Sequence, residues 1–218
     1  MEKRGKKLFC MGIVLLIAFI LWTILVQAVD VRAVGPEGSK VGFSTWNVSF
    51  HQFTGVHMTV YTITDWLGLL PVFVCMVFGI MGFCQLVKRK SLLKVDLDIL
   101  LLGMYYIVVI AAYLIFEMIP INYRPILING ILETSYPSST TLLVLSVMPT
   151  LSFQLGKRMI NNPLKRILNT VTVLFSSFMV IGRLCAGVHW FTDIVGGMFF
   201  SFALLLFYKS AVLLLCKE

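Results

Sequence analysis

Six long apolar stretches separated by short polar segments dominate the chain. A window near ~20 residues places them at about 8–29, 66–87, 98–119, 138–156, 167–187 and 193–216. Each is long enough to cross a hydrocarbon layer as an α-helix. Lipid offers the backbone no hydrogen-bond partners, so a spanning segment must satisfy its own, as a helix does. The pattern therefore predicts an all-α, integral-membrane six-helix bundle, with residues 1–218 forming one membrane domain. The fourth stretch is the shortest and carries Pro149. The longest hydrophilic segment, 30–65, interleaves Phe43, Trp46, Phe50, Phe53 and Tyr61 with polar residues. It is expected to lie as a loop at the membrane interface, where amphipathic aromatics are favoured.

Composition agrees. The chain is 59% apolar and 13% charged, against about 25% charged in soluble domains. The net charge of +8 does not point to nucleic acid, because the cations follow the membrane pattern. With the N-terminus cytoplasmic, only Arg32, Lys40, Arg124 and Arg183 of the 18 lysines and arginines fall on the outer side. The positive-inside rule favours that orientation, with both termini cytoplasmic. The first apolar run, 8–29, is longer than the ~7–15 residues of a signal-peptide core, so it is expected to be a retained anchor. The five cysteines are odd in number and scattered, which argues against a disulfide framework or a zinc site. Short connections, a basic inner face and the absence of glycosylation signals above chance point to a bacterial plasma membrane; Asn47-Val-Ser49 is read as a chance sequon.

The chemistry concentrates in Arg183-x5-His189-x3-Asp193. On a helix, His189 and Asp193 share one face. A carboxylate there can hold one imidazole nitrogen and leave the other free as nucleophile or base. Arg183 supplies a fork of donors suited to phosphate oxygens; the plainer reading is a polar cluster with Arg183 snorkelling outward. Two other outer segments bear on the choice. Tyr123-Arg124-Pro125 offers a second guanidinium. Tyr136-Pro137-Ser138-Ser139-Thr140-Thr141 opens a helix, whose N-terminus presents free N–H groups to an anion. Together they converge on phosphate chemistry at the outer face, between the third to sixth spans.

These residues resemble the three motifs of the type 2 phosphatidic acid phosphatase superfamily: Lys-x6-Arg-Pro, Pro-Ser-Gly-His and Ser-Arg-x5-His-x3-Asp. The third matches at Arg183, His189 and Asp193, with Gly182 where Ser is usual. The second matches at Pro137 and Ser138, with Ser139 for Gly and Thr140 for His. The first matches at Arg124 and Pro125, with Glu117 where Lys is expected. The resemblance implies a membrane lipid phosphatase in which His189 attacks phosphorus and forms a phosphohistidine. Asp193 then orients and stabilises His189, while Arg124, Arg183 and the amides near Ser138 and Ser139 hold the phosphate oxygens. No cofactor or metal is implied, and the partners are a lipid phosphate and the bilayer.

The departures leave the reaction open. The missing histidine of the second motif is the family's general acid, and losing such an acid costs about 10²–10⁴ in rate. A diphosphate needs it least, because its leaving phosphate has a second pKa near ~6, which favours a polyprenyl diphosphate substrate. Thr140 is too weak an acid to replace it. His57, His51 and Glu117 are the candidates for a substitute acid, Glu117 alternatively pairing with Arg124 to shape the site. A lipid-phosphate-binding relative without turnover, or a lipid phosphotransferase using the same histidine, stands as the alternative.

Other features carry plainer readings. Gly197-x-x-x-Ser201 suits close helix packing, and Gln154 and Asn169 are expected at the inner interface. Lys157 to Arg166 forms a basic segment facing anionic lipids. Asp96 and Asp98 are expected to cap the third span.

Overall fold

The computed structural model describes residues 2–159 and 162–216; Lys217, counted above with the inner cations, lies outside them. Among the described residues the helices are α1 (Glu2–Ala28), α2 (Ser44–Thr54), α3 (Met58–Leu67), α4 (Leu69–Arg89), α5 (Leu97–Met118), α6 (Ser139–Arg158), α7 (Asn162–Cys185) and α8 (Phe191–Leu215). Six stretches of helix are long and apolar enough to cross a membrane, α3 and α4 counting together as one. The fold is therefore the expected helical membrane bundle.

The segment 30–65 is not the loop it was expected to be. A two-stranded turn, β1 (Arg32–Ala33) with β2 (Lys40–Val41), leads into α2 and then α3. The α3–α4 rod runs from Met58 to Arg89, 32 residues, or about 48 Å at helical rise. That exceeds the ~30 Å hydrocarbon thickness, so part of the rod extends beyond the expected span 66–87. The extra length is what carries α3 up beside the site.

α1 packs along α8, antiparallel to it. Gly5 and Gly12 leave room for Leu214 and Phe207 against the helix backbone, and Ser210 Oγ donates to the Gly5 carbonyl at 2.8 Å. Both ends of the described chain therefore lie at one end of the bundle. The α1–α2, α5–α6 and α7–α8 connections meet at the other.

Several polar side chains inside the bundle are paired, as an environment without water favours. Tyr105 donates to the Ser146 carbonyl at 3.0 Å and Tyr106 pairs with Thr150 at 2.7 Å. Gln154, expected at the interface, is instead fully buried, bonded to Tyr208 and Arg158. Arg158 also reaches Asp98 at 2.9 Å. Asp96 sits at the N-cap of α5 without a side-chain cap bond. Its carboxylate accepts instead from Arg89 at 2.6 Å and Gln85 at 2.8 Å, and those bonds, Arg89's above all, hold its pKa below the usual carboxylate range. The small residues Gly197 and Ser201 do mark close packing: a Cβ on Gly197 would stand 3.2 Å from Thr141, and Ser201 Oγ reaches the Leu142 carbonyl at 3.2 Å.

Candidate active site

The α5–α6 connection is built as an irregular hairpin. Ile128 pairs with Ile131 around Asn129-Gly130, and Tyr123 with Thr134. Both turn residues have positive φ, the conformation that Asn-Gly adopts most readily in tight hairpins. Closing the turn sets Glu133 beside Arg124, joined by an Arg124 N–H to Glu133 carbonyl bond at 3.0 Å, and Ser135 beside Asn122 at 2.9 Å. The side chains of the first pair meet as well, Arg124 Nε lying 3.0 Å from Glu133 Oε2. Arg124's carboxylate partner is thus Glu133, not Glu117.

This hairpin cradles the start of α8. His189 does not share a helix with Asp193: it stands in the turn before α8, with Trp190 as the N-cap and Asp193 in the first helical turn. His189 Nδ1 lies 3.1 Å from the Ser135 carbonyl oxygen and 3.9 Å from Asp193 Oδ2. The expected carboxylate–imidazole hydrogen bond is therefore replaced by one to a main-chain carbonyl. A carbonyl can only accept, so Nδ1 carries the proton and Nε2 keeps its lone pair. Nε2 is buried and makes no hydrogen bond among the described residues. Burial, with the charges of Arg124 and Arg183, holds the His189 pKa well below its ordinary value, so the ring is neutral.

Asp193 is spent on architecture as well as charge. Its Oδ2 accepts from the Trp190 N–H at 2.9 Å and its Oδ1 from Asn122 Nδ2 at 3.2 Å. The first bond caps α8, and a carboxylate at a helix N-terminus also meets the favourable end of the dipole. Around it, Trp190 Nε1 donates to the Tyr123 carbonyl at 2.8 Å and Trp22 Nε1 to the Thr192 carbonyl at 3.0 Å. Asn47 of the apparent sequon is wholly buried and bonds both Gly42 and Thr192. Its role is to fasten α2 to α8.

Arg183 does not snorkel. It is 2% exposed, held under α3 by Thr64 and Asp65, each at 3.4 Å. Its guanidinium lies 4.9 Å from the centre of the Tyr61 ring, and that of Arg124 lies 5.9 Å from the same ring. Cation–π attraction thus helps hold two like charges near one ring. Gly182 explains the approach of α3: a Cβ there would stand 2.7 Å from Thr64 Cγ2. The residue that departs from the third motif is the one that lets α3 reach Arg183. Gly187, at positive φ, likewise runs against the Gly55 carbonyl.

A narrow cavity opens at His189, with Arg124, Glu117, Tyr113 and Ser139 among its lining residues. Its free volume of about 20 Å³ is room for roughly one water. Ser138 stands at the N-cap of α6 with an Oγ that has no partner among the described residues, but its N–H is already given to the Asp193 carbonyl at 3.1 Å. The free amides are those of the first turn beyond it. Thr140 is not among the lining residues; its methyl would lie 3.7 Å from a Cβ on Gly68, at the α3–α4 junction. The exposed His57 turns its ring to the Thr54 carbonyl at 2.9 Å, and His51 Nε2 is 3.0 Å from the Gly187 carbonyl. Neither histidine lines the cavity. No three His, Cys, Asp or Glu side chains gather as metal ligands among the described residues; the donors collected here are guanidiniums and amides, which suit an anion.

Tyr61, Asn122, Glu133 and Ser135 were not singled out from sequence for this site. For the last three the signal was available: Asn-Gly between Ile-Leu-Ile and Ile-Leu is a hairpin signature.

No curated protein matches the chain in sequence. Among solved structures it resembles the first transmembrane PAP2-type phosphatidylglycerolphosphate phosphatase from Bacillus subtilis, at TM-score 0.62 and 18% identity, with 93% of this chain and 94% of that chain covered. At that identity the likeness speaks for the fold. The family model of the PAP2 superfamily matches residues 71–214, a stretch that takes in Arg124, Pro137, Ser138, Arg183, His189 and Asp193. The chain belongs to the PAP2 superfamily.

Proposed function

We propose that the protein is a lipid phosphatase that hydrolyses a lipid phosphate or diphosphate through His189. The observation that carries this is the state of that imidazole: neutral, fixed through Nδ1, with Nε2 unpartnered among the described residues, on a side chain that lines a cavity edged by Arg124. A protein that merely bound lipid phosphate would need the arginines but not an oriented nucleophile.

In the proposed reaction the Nε2 lone pair attacks phosphorus in line, an N–P bond forms, and the bond to the leaving oxygen breaks. Arg124, Arg183 and the free amides at the start of α6 stabilise the charge on the remaining oxygens. Asp193, at 3.9 Å, stabilises the positive charge that develops on the ring. Water then cleaves the N–P bond, releasing inorganic phosphate and restoring the lone pair. No metal ion enters these steps.

The leaving group sets the substrate preference. With Thr140 turned toward the α3–α4 junction, no strong acid stands at its motif position. A lipid diphosphate expels a phosphate monoester that needs little protonation; an alkyl phosphate expels an alkoxide that needs an acid. The reading favours a polyprenyl diphosphate. Phosphate release by the purified protein, with chelator present, tests it: the diphosphate should be turned over at least about 10²-fold faster than phosphatidic acid. Faster turnover of the monoester would contradict the assignment.

The same reading places the site on the outer face of a bacterial plasma membrane, because lysine and arginine crowd the opposite end. In intact cells, an impermeant thiol reagent should label a cysteine placed at Ile131 and spare one placed at Lys90.

A further inference from the structure

A second cavity, of about 800 Å³, lies between α6, α7 and α8 below the site. It is mostly apolar toward Val180, Ile181 and Met198, and it ends among three cations: Lys157, Lys165 and Lys209. None of the three is ion-paired among the described residues. Lys165 donates to the Gly156 carbonyl at 2.9 Å, and Lys209 Nζ stands 5.8 Å from the Phe153 ring centre. Along the wall, Ser176 is 7% exposed, lines the cavity, and its Oγ has no hydrogen-bond partner among the described residues. The cations lie at the end of the bundle that carries both ends of the described chain. Lys157 is 18 residues along α6 from Ser139, about 27 Å at helical rise. An anion bound there is not at His189.

We propose that this groove is a binding site for an anionic phospholipid of the leaflet opposite the active site. Its phosphate would sit among Lys157, Lys165 and Lys209, its glycerol ester region at the level of Ser152 and Asn169, and an acyl chain past Ser176 toward Val180 and Met198. The charge pattern selects this occupant: a neutral lipid leaves the three ammonium groups uncompensated, and a free anion leaves the apolar part empty.

Native mass spectrometry of the full-length protein tests the proposal, with phosphatidylglycerol and phosphatidylcholine of equal chain length offered as probes. Phosphatidylglycerol should be retained preferentially, and Arg124→Gln should keep that preference, because the groove is remote from the site. The combined Lys157→Gln, Lys165→Gln and Lys209→Gln variant should bind phosphatidylglycerol on the order of 100-fold more weakly. Ser176→Phe, which keeps the charges but fills the groove, should also lower retention. Equal retention of the two lipids, undiminished binding by the lysine variant, or displacement of the lipid by millimolar inorganic phosphate would overturn it.

Discussion

His189 Nδ1 and the Ser135 carbonyl oxygen, 3.1 Å apart, join the start of α8 to the α5–α6 hairpin and fix which nitrogen of the imidazole is free. A main-chain carbonyl does here what a carboxylate was expected to do. The neutral ring keeps its lone pair on Nε2, and the carboxylate of Asp193 stays one step back, at 3.9 Å.

That environment has a pH signature. Burial and two neighbouring guanidiniums hold the His189 pKa well below 6.5, so in the folded protein the ring stays neutral at pH values where an unfolded histidine takes a proton. The unfolded state then binds more protons, and stability falls as pH drops through and below about 6.5. NMR of histidine-labelled protein, assigned by difference from His189→Ala, should show one imidazole still neutral at pH 6. Titration of His189 near 6.5 would contradict the buried, lone-pair-bearing ring.

Asp193→Asn separates charge from architecture. An asparagine keeps an acceptor for the Trp190 N–H, so α8 stays capped, while the negative charge beside the imidazole is lost. Turnover should fall about 10²–10³-fold, while loss of the acceptor for Asn122 Nδ2 costs about 1 kcal/mol of stability. Asp193→Ala removes the cap as well and should cost about 1 kcal/mol of stability besides. Full activity in Asp193→Asn would show that the charge plays no part.

Gly182→Ser restores the residue usual in the third motif, yet it is expected to harm this protein. A Cβ at 182 would stand 2.7 Å from Thr64 Cγ2, forcing α3 away from α7 and loosening Thr64 and Asp65 from Arg183. Overpacking of this kind costs about 1–3 kcal/mol. Adding Thr64→Ser, which deletes the obstructing methyl and keeps the hydroxyl, should recover most of the loss. Thermal unfolding in detergent gives both numbers; a neutral Gly182→Ser would show that α3 does not depend on this contact.

The six spans were legible because lipid imposes one periodicity and one length. Arg183, His189 and Asp193 were legible because few reasons exist to place three such groups beside apolar helices. What stayed hidden was tertiary. The aromatic-rich segment 30–65 reads as interface because its aromatics recur without a clean helical stripe, and nothing local says that Tyr61, Thr64 and Asp65 will sit on a buried arginine. The pairing of Arg124 with Glu133 rather than Glu117 depends on one Asn-Gly turn. The helical i,i+4 reading of His189 and Asp193 failed because α8 begins two residues after the histidine, with Asp193 capping it.

In the proposed reaction His189 Nε2 takes the phosphoryl group. Rapid quenching of the purified protein during turnover of a lipid diphosphate, followed by mass spectrometry at alkaline pH to preserve an N–P bond, tests it most directly. The expected result is a phosphoryl group on His189, absent in His189→Ala, with phosphate release by that variant reduced to background. Sustained phosphate release by His189→Ala, or a phosphoryl group found on another residue, would contradict it.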